Sequence, residues 1–108
     1  MTPSRVSGIS SPIMPISLLT MEVLLPGCAS LKEKRGRLRP VLARLQREFN
    51  VSAAELDRLD AHGAAVLGCA CLSNEAVHCR QVLEAVLGYV RKHFPDLEVE
   101  VYRIEEIL

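Results

Sequence analysis

The segment from Ser30 to Asn50 constrains the fold of this chain more than any other, because it specifies one amphipathic helix. Ser30 and Glu33 form the S-x-x-E pattern of a capping box, in which the hydroxyl accepts the Glu33 N–H and the carboxylate reaches back. At about 100° per residue, the apolar side chains fall within a sector of about 100°, typical of a core-facing stripe. The stripe comprises Leu31, Leu38, Val41, Leu42, Leu45 and Phe49. The helix therefore needs an apolar layer to pack against, and Pro40 predicts a kink or break near Gly36–Arg39.

The rest of this helix is strongly basic. It holds seven of the thirteen Lys and Arg residues: Lys32, Lys34, Arg35, Arg37, Arg39, Arg44 and Arg47. Residues 32–47 carry seven bases and one acid, a formal +6, while the rest of the chain carries six bases and twelve acids, a formal −6. The zero net charge thus conceals a dipolar molecule, and the basic helix predicts contact with an anionic partner.

These seven residues are the candidate nucleic-acid-binding set, with RNA or the ribosome as the partner. Phosphates would be met by the exposed bases and by free N–H groups at the helix start near Ala29–Leu31. Lys34 alone projects into the apolar sector, where we expect it to extend over the sheet edge or to hold an anion. The alternative is a solvated surface built from good helix formers.

Around this helix, the sequence predicts four strands and a second helix. Residues 15–25, 51–57, 64–72 and 97–107 are predicted strands, since they are apolar or alternating and most of them end at turn signals. Ser73-Asn74 is predicted to cap the second helix, which continues to about His93. The last strand is expected to alternate Leu97, Val99 and Val101 against Glu98 and Glu100.

The order β-α-β-β-α-β predicts an α+β, ferredoxin-like fold, in which a four-stranded antiparallel sheet carries both helices on one face. Residues 64–72 are apolar on both faces, which predicts a central strand. We expect a single domain over residues 14–108. Residues 1–13 are predicted to be a disordered N-terminal extension, because their Ser, Pro and Gly show no periodicity.

Composition narrows the functional classes. No apolar run reaches the roughly 18 residues of a membrane span, and the N-terminus lacks the apolar segment and cleavage site of a signal peptide. We therefore expect a cytoplasmic protein with no membrane partner, reduced cysteines and no cofactor. A metal site would need Cys69, Cys71, His78 and Cys79 to converge, but a small buried thiol is the commoner state for Cys79 in the apolar stripe of the second helix.

The blocks SLKEKR, RLQREFNVSAAELD and VLGCACLSNE resemble the YlxP-like family of small bacterial proteins, which is classed as a domain of unknown function. The resemblance covers residues 14–108 and implies a ferredoxin-like fold in a bacterial cytoplasmic protein. It also implies a role linked to RNA or the ribosome, because the gene in many bacteria lies among those for translation initiation and ribosome maturation factors. The chain departs from the family where Ala61–Ala64 replaces a Trp-containing segment, and where Cys69 and Cys71 replace aliphatic residues. The family supplies no catalytic residue, so we expect a non-enzymatic binding protein.

Two enzyme-like alternatives remain in the sequence. Glu22, Glu55 and Asp57 are expected to share the sheet face away from the helices, and paired carboxylates there would suit acid–base chemistry. The loop Pro26–Arg35 is the alternative site for a small phosphate ligand.

The sheet face away from the helices is also a candidate interface. Leu18 and Leu24 are expected to lie there beside one apolar face of residues 64–72, and such a patch predicts a homodimer. The alternative is a monomer whose patch is interrupted by Thr20 and the carboxylates.

Overall fold

The computed structural model describes residues 15–108, so the predicted disordered extension over residues 1–13 lies outside the described residues. The elements follow the predicted order. They are β1 (Ile16–Leu24), α1 (Leu31–Phe49), β2 (Ser52–Asp57), β3 (Ala64–Leu72), α2 (Ala76–His93) and β4 (Glu98–Glu106).

The four strands form one antiparallel sheet in the order β2-β3-β1-β4, with both helices on one face. This arrangement confirms the predicted ferredoxin-like fold. β1 and β3 occupy the centre, which confirms the central position predicted for residues 64–72 from their two apolar faces. In the part of the chain that the structure describes, neither helix is long and apolar enough to cross a membrane.

The core lies between the sheet and the helix layer. Alternate residues of β1 (Leu19, Met21 and Val23) point into it and are fully buried, and Leu67 and Cys69 of β3 join them. The helices complete it with the two stripes that their periodicity predicts. The buried stripe residues are Leu38, Val41 and Leu45 of α1, with Cys79, Leu83, Val86, Leu87 and Val90 of α2.

Helix α1 begins and ends as its sequence indicates, but it does not break at Pro40. The Ser30 hydroxyl accepts the Glu33 N–H at 3.0 Å, and Asn50 ends the helix with a left-handed φ of 52°. Proline in a helix interior costs about 3 kcal/mol. Here Leu38 and Val41 are buried on either side of Pro40 and their packing offsets this cost, so α1 is continuous and, of the predicted kink or break near Gly36–Arg39, the break does not occur.

Two other local predictions are corrected. The N-cap residue of α2 is Glu75, not Ser73 or Asn74 as predicted. The Ser73 hydroxyl instead accepts the Glu75 N–H at 3.3 Å, just before the helix. In β4 the register shifts, so that Glu22 faces Val101 while Val23 faces Val99. The extra residue, Glu100, is a bulge that turns Val101 onto the face away from the helices. The simple alternation predicted for this strand is therefore wrong beyond Val99.

Candidate nucleic-acid interface

The fold concentrates positive charge in the helix layer. The two helices together carry ten Lys and Arg residues against three Glu, a formal +7. The rest of the chain carries three bases against ten acids, a formal −7. The charge separation predicted for one helix therefore extends to a whole layer of the domain.

Four exposed bases lie along the outer side of α1, and we call them the basic stripe: Lys32, Arg35, Arg39 and Arg47. Lys32, Arg39 and Arg47 fall within about 80° of arc on the helical wheel, and Arg35 lies on its flank. The stripe is about 22 Å long, since fifteen residues separate its ends. Within residues 15–108, no carboxylate lies within 4.0 Å of any of these four side chains.

Lys34, in contrast, is fully engaged inside the protein and is 1 % exposed. Its ammonium donates to the carbonyl oxygens of Arg58 at 2.7 Å and Ala61 at 2.6 Å, and lies 2.6 Å from the Glu55 carboxylate. The three donors of a lysine are thereby used. Lys34 does not extend to solvent, and the anion that it holds at the sheet edge is the chain's own Glu55, so Lys34 is not part of the binding surface.

Arg37 and Arg44 also have partners within the chain. The Arg37 guanidinium donates to the carbonyl oxygens of Pro26 at 3.0 Å and Asp96 at 3.2 Å, which ties the loop after β1 to the turn before β4. Arg44 lies 5.7 Å from the centre of the Tyr89 ring and 3.7 Å from Glu48. Both side chains are half-buried between the helices or at their ends. The sequence places them on the polar face but does not reveal these partners.

The start of α1 is not an open anion site. The Glu33 carboxylate accepts the Ala29 N–H at 3.4 Å, and the Ser30 hydroxyl accepts the Glu33 N–H. A negative charge of the chain itself thus lies at the positive end of the helix. The expectation of a free N–H group for phosphate binding is therefore wrong at Ala29, whose N–H already has a partner.

The predicted carboxylate group on the open sheet face forms only in part, because Glu55 is not on that face. Glu55 stands opposite Leu67, whose side chain is buried under the helices, and it reaches Lys34 on that side. A register shift between Glu55 and Asp57 puts Asp57 opposite Val66, so Asp57 and Glu22 share the open face as predicted. Among residues 15–108, no group of three His, Cys, Asp or Glu side chains is placed to hold a metal ion.

The cysteine side chains are buried free thiols. Burial raises the pKa of Cys69 to about 11. Burial, and in addition the neighbouring Cys79 thiol, raises the pKa of Cys71 to about 11. Cys79 donates to the Cys71 carbonyl oxygen at 3.4 Å, while His78 is exposed on α2. Protonated thiols are poor nucleophiles and poor metal ligands, so Cys69 and Cys71 act as packing residues.

The open sheet face carries the two residues predicted for an interface and the expected apolar face of residues 64–72, together with Leu56 and Val101, which the sequence did not single out. Leu18 and Leu24 stand opposite Ala70 and Ala64 on the side away from the helices. Apolar side chains at the same face are Leu56, Val66, Leu72 and Val101. Val101 is 54 % exposed, and the bulge at Glu100 places it there. Strict alternation in β4 places Val101 on the same face as Val99, toward the helices, so the sequence did not predict its exposure.

Comparison with known proteins identifies the family to which this chain belongs. A family model described as "Protein of unknown function (DUF503)" matches residues 16–105. The chain belongs to this family. It is also 33% identical to the uncharacterized protein YlxP of Bacillus subtilis (strain 168) over 90 residues, which make up 83% of this chain and 97% of that relative. The predicted resemblance to YlxP-like proteins is confirmed.

The DUF503 match extends from β1 into β4 and includes all of α1, so the basic stripe and the open sheet face both lie inside the family domain. The family description assigns no activity. The charge, exposure and partners of these surfaces are therefore the features of the molecule that bear on its function.

Proposed function

We propose that this protein is a non-enzymatic RNA-binding protein of the cytoplasm, which contacts the phosphate backbone of structured RNA, such as ribosomal RNA, through the basic stripe. The supporting observation is that Lys32, Arg35, Arg39 and Arg47 are exposed and have no carboxylate partner among residues 15–108. Lys34, Arg37 and Arg44, which have partners, serve the fold. Charged side chains that the fold does not use remain available for phosphates.

The length of the stripe favours a polymer over a small anion. Its charges are spread over about 22 Å, which matches successive phosphates and exceeds the size of one phosphate or nucleotide. The Glu33 carboxylate at the start of α1 would repel a small anion that approached the loop after β1. These features argue against the phosphate-ligand alternative.

The aromatic residues between the helices favour backbone contact over base stacking, and the half-exposed Tyr102 lies on β4 against Arg91 of α2. Phe49 packs edge-on against Tyr89 with ring centres 5.2 Å apart, and Tyr89 in turn contacts His93 and Phe94. These rings fill the space between the helices instead of projecting from the stripe. Modules that read single-stranded RNA stack bases on exposed aromatic rings, whereas duplex readers contact phosphates and sugars. Structured RNA is therefore the partner that this surface suits best.

Salt dependence and a matched pair of variants test the proposal. With about four phosphates neutralised, log K should fall with log[salt] with a slope of about −3 to −4. Arg39→Glu/Arg47→Glu changes the net charge by four, and so does the control Arg58→Glu/Arg103→Glu at the β2–β3 loop and the sheet. We expect the stripe variant to lose at least tenfold in affinity for an RNA hairpin and to lose about two units of slope. Equal losses in both variants would mean that net charge alone drives binding and would refute the assignment.

A second candidate is a homodimer formed through the open sheet face, favoured by the outward turn of Val101. The two edge strands disfavour a dimer formed by edge-to-edge strand pairing. β4 carries four Glu residues, and Gln46 of α1 donates to the Ala53 carbonyl oxygen of β2 at 3.2 Å. The open face has apolar residues together with both signs of charge, Glu22 and Arg103, as a self-complementary interface requires.

Light scattering on two matched variants tests this candidate. Val101→Glu places a charge on the open sheet face, and Val77→Glu makes the same change at an exposed position of α2. We expect wild type and Val77→Glu to be dimers and Val101→Glu to be a monomer. A wild type that stays monomeric at high concentration would eliminate the dimer.

A further inference from the structure

Pro40 and Gly36 introduce a main-chain feature in the middle of the basic stripe. Proline has no N–H, so the Gly36 carbonyl lacks the donor that an α-helix supplies from four residues further along. Both residues are exposed. A Cβ added at Gly36 would meet nothing within 4 Å in the described part of the chain. The packing of the domain therefore gives no reason for a helix-weakening residue at either position.

This carbonyl lies among the phosphate-binding candidates. On the helical wheel, Gly36 falls between Lys32 and Arg47, and Ala43 lies within the same arc. Gly36 and Pro40 also lie at one side of a surface hollow of about 240 Å³, which extends away from the stripe toward Phe94 and is lined by none of the four stripe residues. Because Gly36 is exposed and carries no side chain, a partner that lies along the stripe can approach the helix backbone closely at this position.

The chemistry of a nucleic-acid backbone determines which of its groups can donate a hydrogen bond to the Gly36 carbonyl oxygen. Phosphate oxygens and the ether oxygens of the sugar are acceptors, and a carbonyl oxygen is an acceptor too, so they do not bond to each other. The 2′-hydroxyl of ribose is the donor in that backbone, and deoxyribose lacks it. A main-chain carbonyl surrounded by phosphate-binding side chains can therefore accept a hydrogen bond from a ribose. In a complex with DNA the same carbonyl would have no donor from the backbone.

We propose that the Gly36 carbonyl accepts a hydrogen bond from a ribose 2′-hydroxyl when adjacent phosphates contact Lys32 and Arg39, and that this contact gives the stripe its preference for RNA over DNA. The inference rests on the proposed RNA-binding function and identifies the sugar that the surface selects. Gly36 contributes by the absence of a side chain, which lets the ribose reach the main chain. Pro40 contributes by the absence of its N–H, which keeps the carbonyl available.

Pro40→Ala is the direct test, since it supplies an N–H to the Gly36 carbonyl and introduces the best helix former. Gly88→Ala is the matched control, because Gly88 lies in α2 and a Cβ there also meets nothing within 4 Å. Binding is measured at fixed salt to one RNA hairpin and to copies of it with a single deoxyribose at each position in turn. Single substitutions keep the hairpin geometry, so they isolate the hydroxyl.

We expect wild type and Gly88→Ala to lose about fivefold in affinity at one or two deoxyribose positions, the size of one hydrogen bond. Pro40→Ala should bind the unmodified hairpin about fivefold more weakly and should be insensitive to every deoxyribose. Wild-type binding that no deoxyribose weakens, or an unchanged deoxyribose profile in Pro40→Ala, overturns the inference while the RNA-binding function stands. If wild type binds no RNA at all, the proposed function fails and the inference fails with it.

Discussion

Replacing Lys34 by Met tests whether the buried ammonium is a structural element. The substitution keeps a flexible apolar chain of similar length but removes three contacts, of 2.7 and 2.6 Å to carbonyl oxygens and 2.6 Å to Glu55. A hydrogen bond to a charged group contributes about 1.5–3 kcal/mol, and breaking a buried ion pair costs about 3–5 kcal/mol. The Glu55 side chain is 18% exposed, so water relieves part of its loss. We therefore expect Lys34→Met to lose about 3 kcal/mol of stability, near the lower end of the range.

A double-mutant cycle with Glu55→Gln separates the ion pair from the other contacts. Glu55→Gln alone leaves the ammonium bonded to two carbonyl oxygens and a neutral amide, and should cost about 1–2 kcal/mol. Once Lys34 is absent, the same change removes an uncompensated carboxylate and should cost nothing. The cycle should give a coupling energy of about 1–2 kcal/mol.

The assay is urea unfolding followed by far-UV circular dichroism, since the chain has no Trp. With a slope of about 1–3 kcal/mol/M, Lys34→Met should lower the midpoint by roughly 1–3 M. A loss below about 1 kcal/mol with strictly additive variants would refute the reasoning, because it would mean that the ammonium is solvated. Lys34→Met should also keep wild-type affinity for RNA where it is fully folded. A loss as large as that of Arg39→Glu/Arg47→Glu would show that Lys34 belongs to the binding surface.

Three further outcomes follow from the same contacts. Arg37→Ala should cost about 2 kcal/mol in urea unfolding, because two carbonyl oxygens lose a charged donor, whereas Arg39→Ala should change stability by less than about 0.5 kcal/mol. Pro40→Ala should raise the free energy of unfolding by up to about 3 kcal/mol, and a loss of stability would show that the fold needs the proline. The pKa of Cys69 and of Cys71, raised to about 11 in the folded state, makes the thiols stabilising below pH 9. Stability should therefore fall between pH 9 and pH 11 by up to about 1.4 kcal/mol per pH unit for each thiol, and alkylation at pH 8 should modify neither residue before unfolding.

The sequence predicted those parts of the fold that local rules determine. The capping box at Ser30, the stripe containing Leu38 and Leu45, and the apolar run of residues 64–72 each depend on neighbours within one element. Helical and strand periodicity alone reveals which side of such an element is buried. Antiparallel order then follows from the alternation of elements and from the handedness of crossovers.

The failures arise where a residue's role depends on another element. The helical phase showed that Lys34 points inward, but only the position of the β2–β3 loop supplies its carbonyl partners. The placement of Glu55 depended on strand phase, and a strand shifted by one residue exchanges its two faces. The bulge at Glu100 changes the face of Val101 for the same reason. The structure shows that Lys34, Arg37 and Arg44 have partners within the chain. The remaining four residues of the predicted set form the basic stripe.

Because the two candidate interfaces lie on opposite layers of the fold, we expect RNA binding and dimerisation to be independent of each other. The basic stripe lies on the helix layer, and the open sheet face lies on the opposite side of a domain only two layers thick. A dimer joined through the sheets would present two basic stripes pointing in opposite directions, so each stripe could hold a separate RNA segment. Val101→Glu should therefore leave the affinity per stripe unchanged, while wild type alone should bring two labelled hairpins into one complex. If Val101→Glu instead weakens the binding of a single hairpin, RNA contacts both layers and the division between them is wrong.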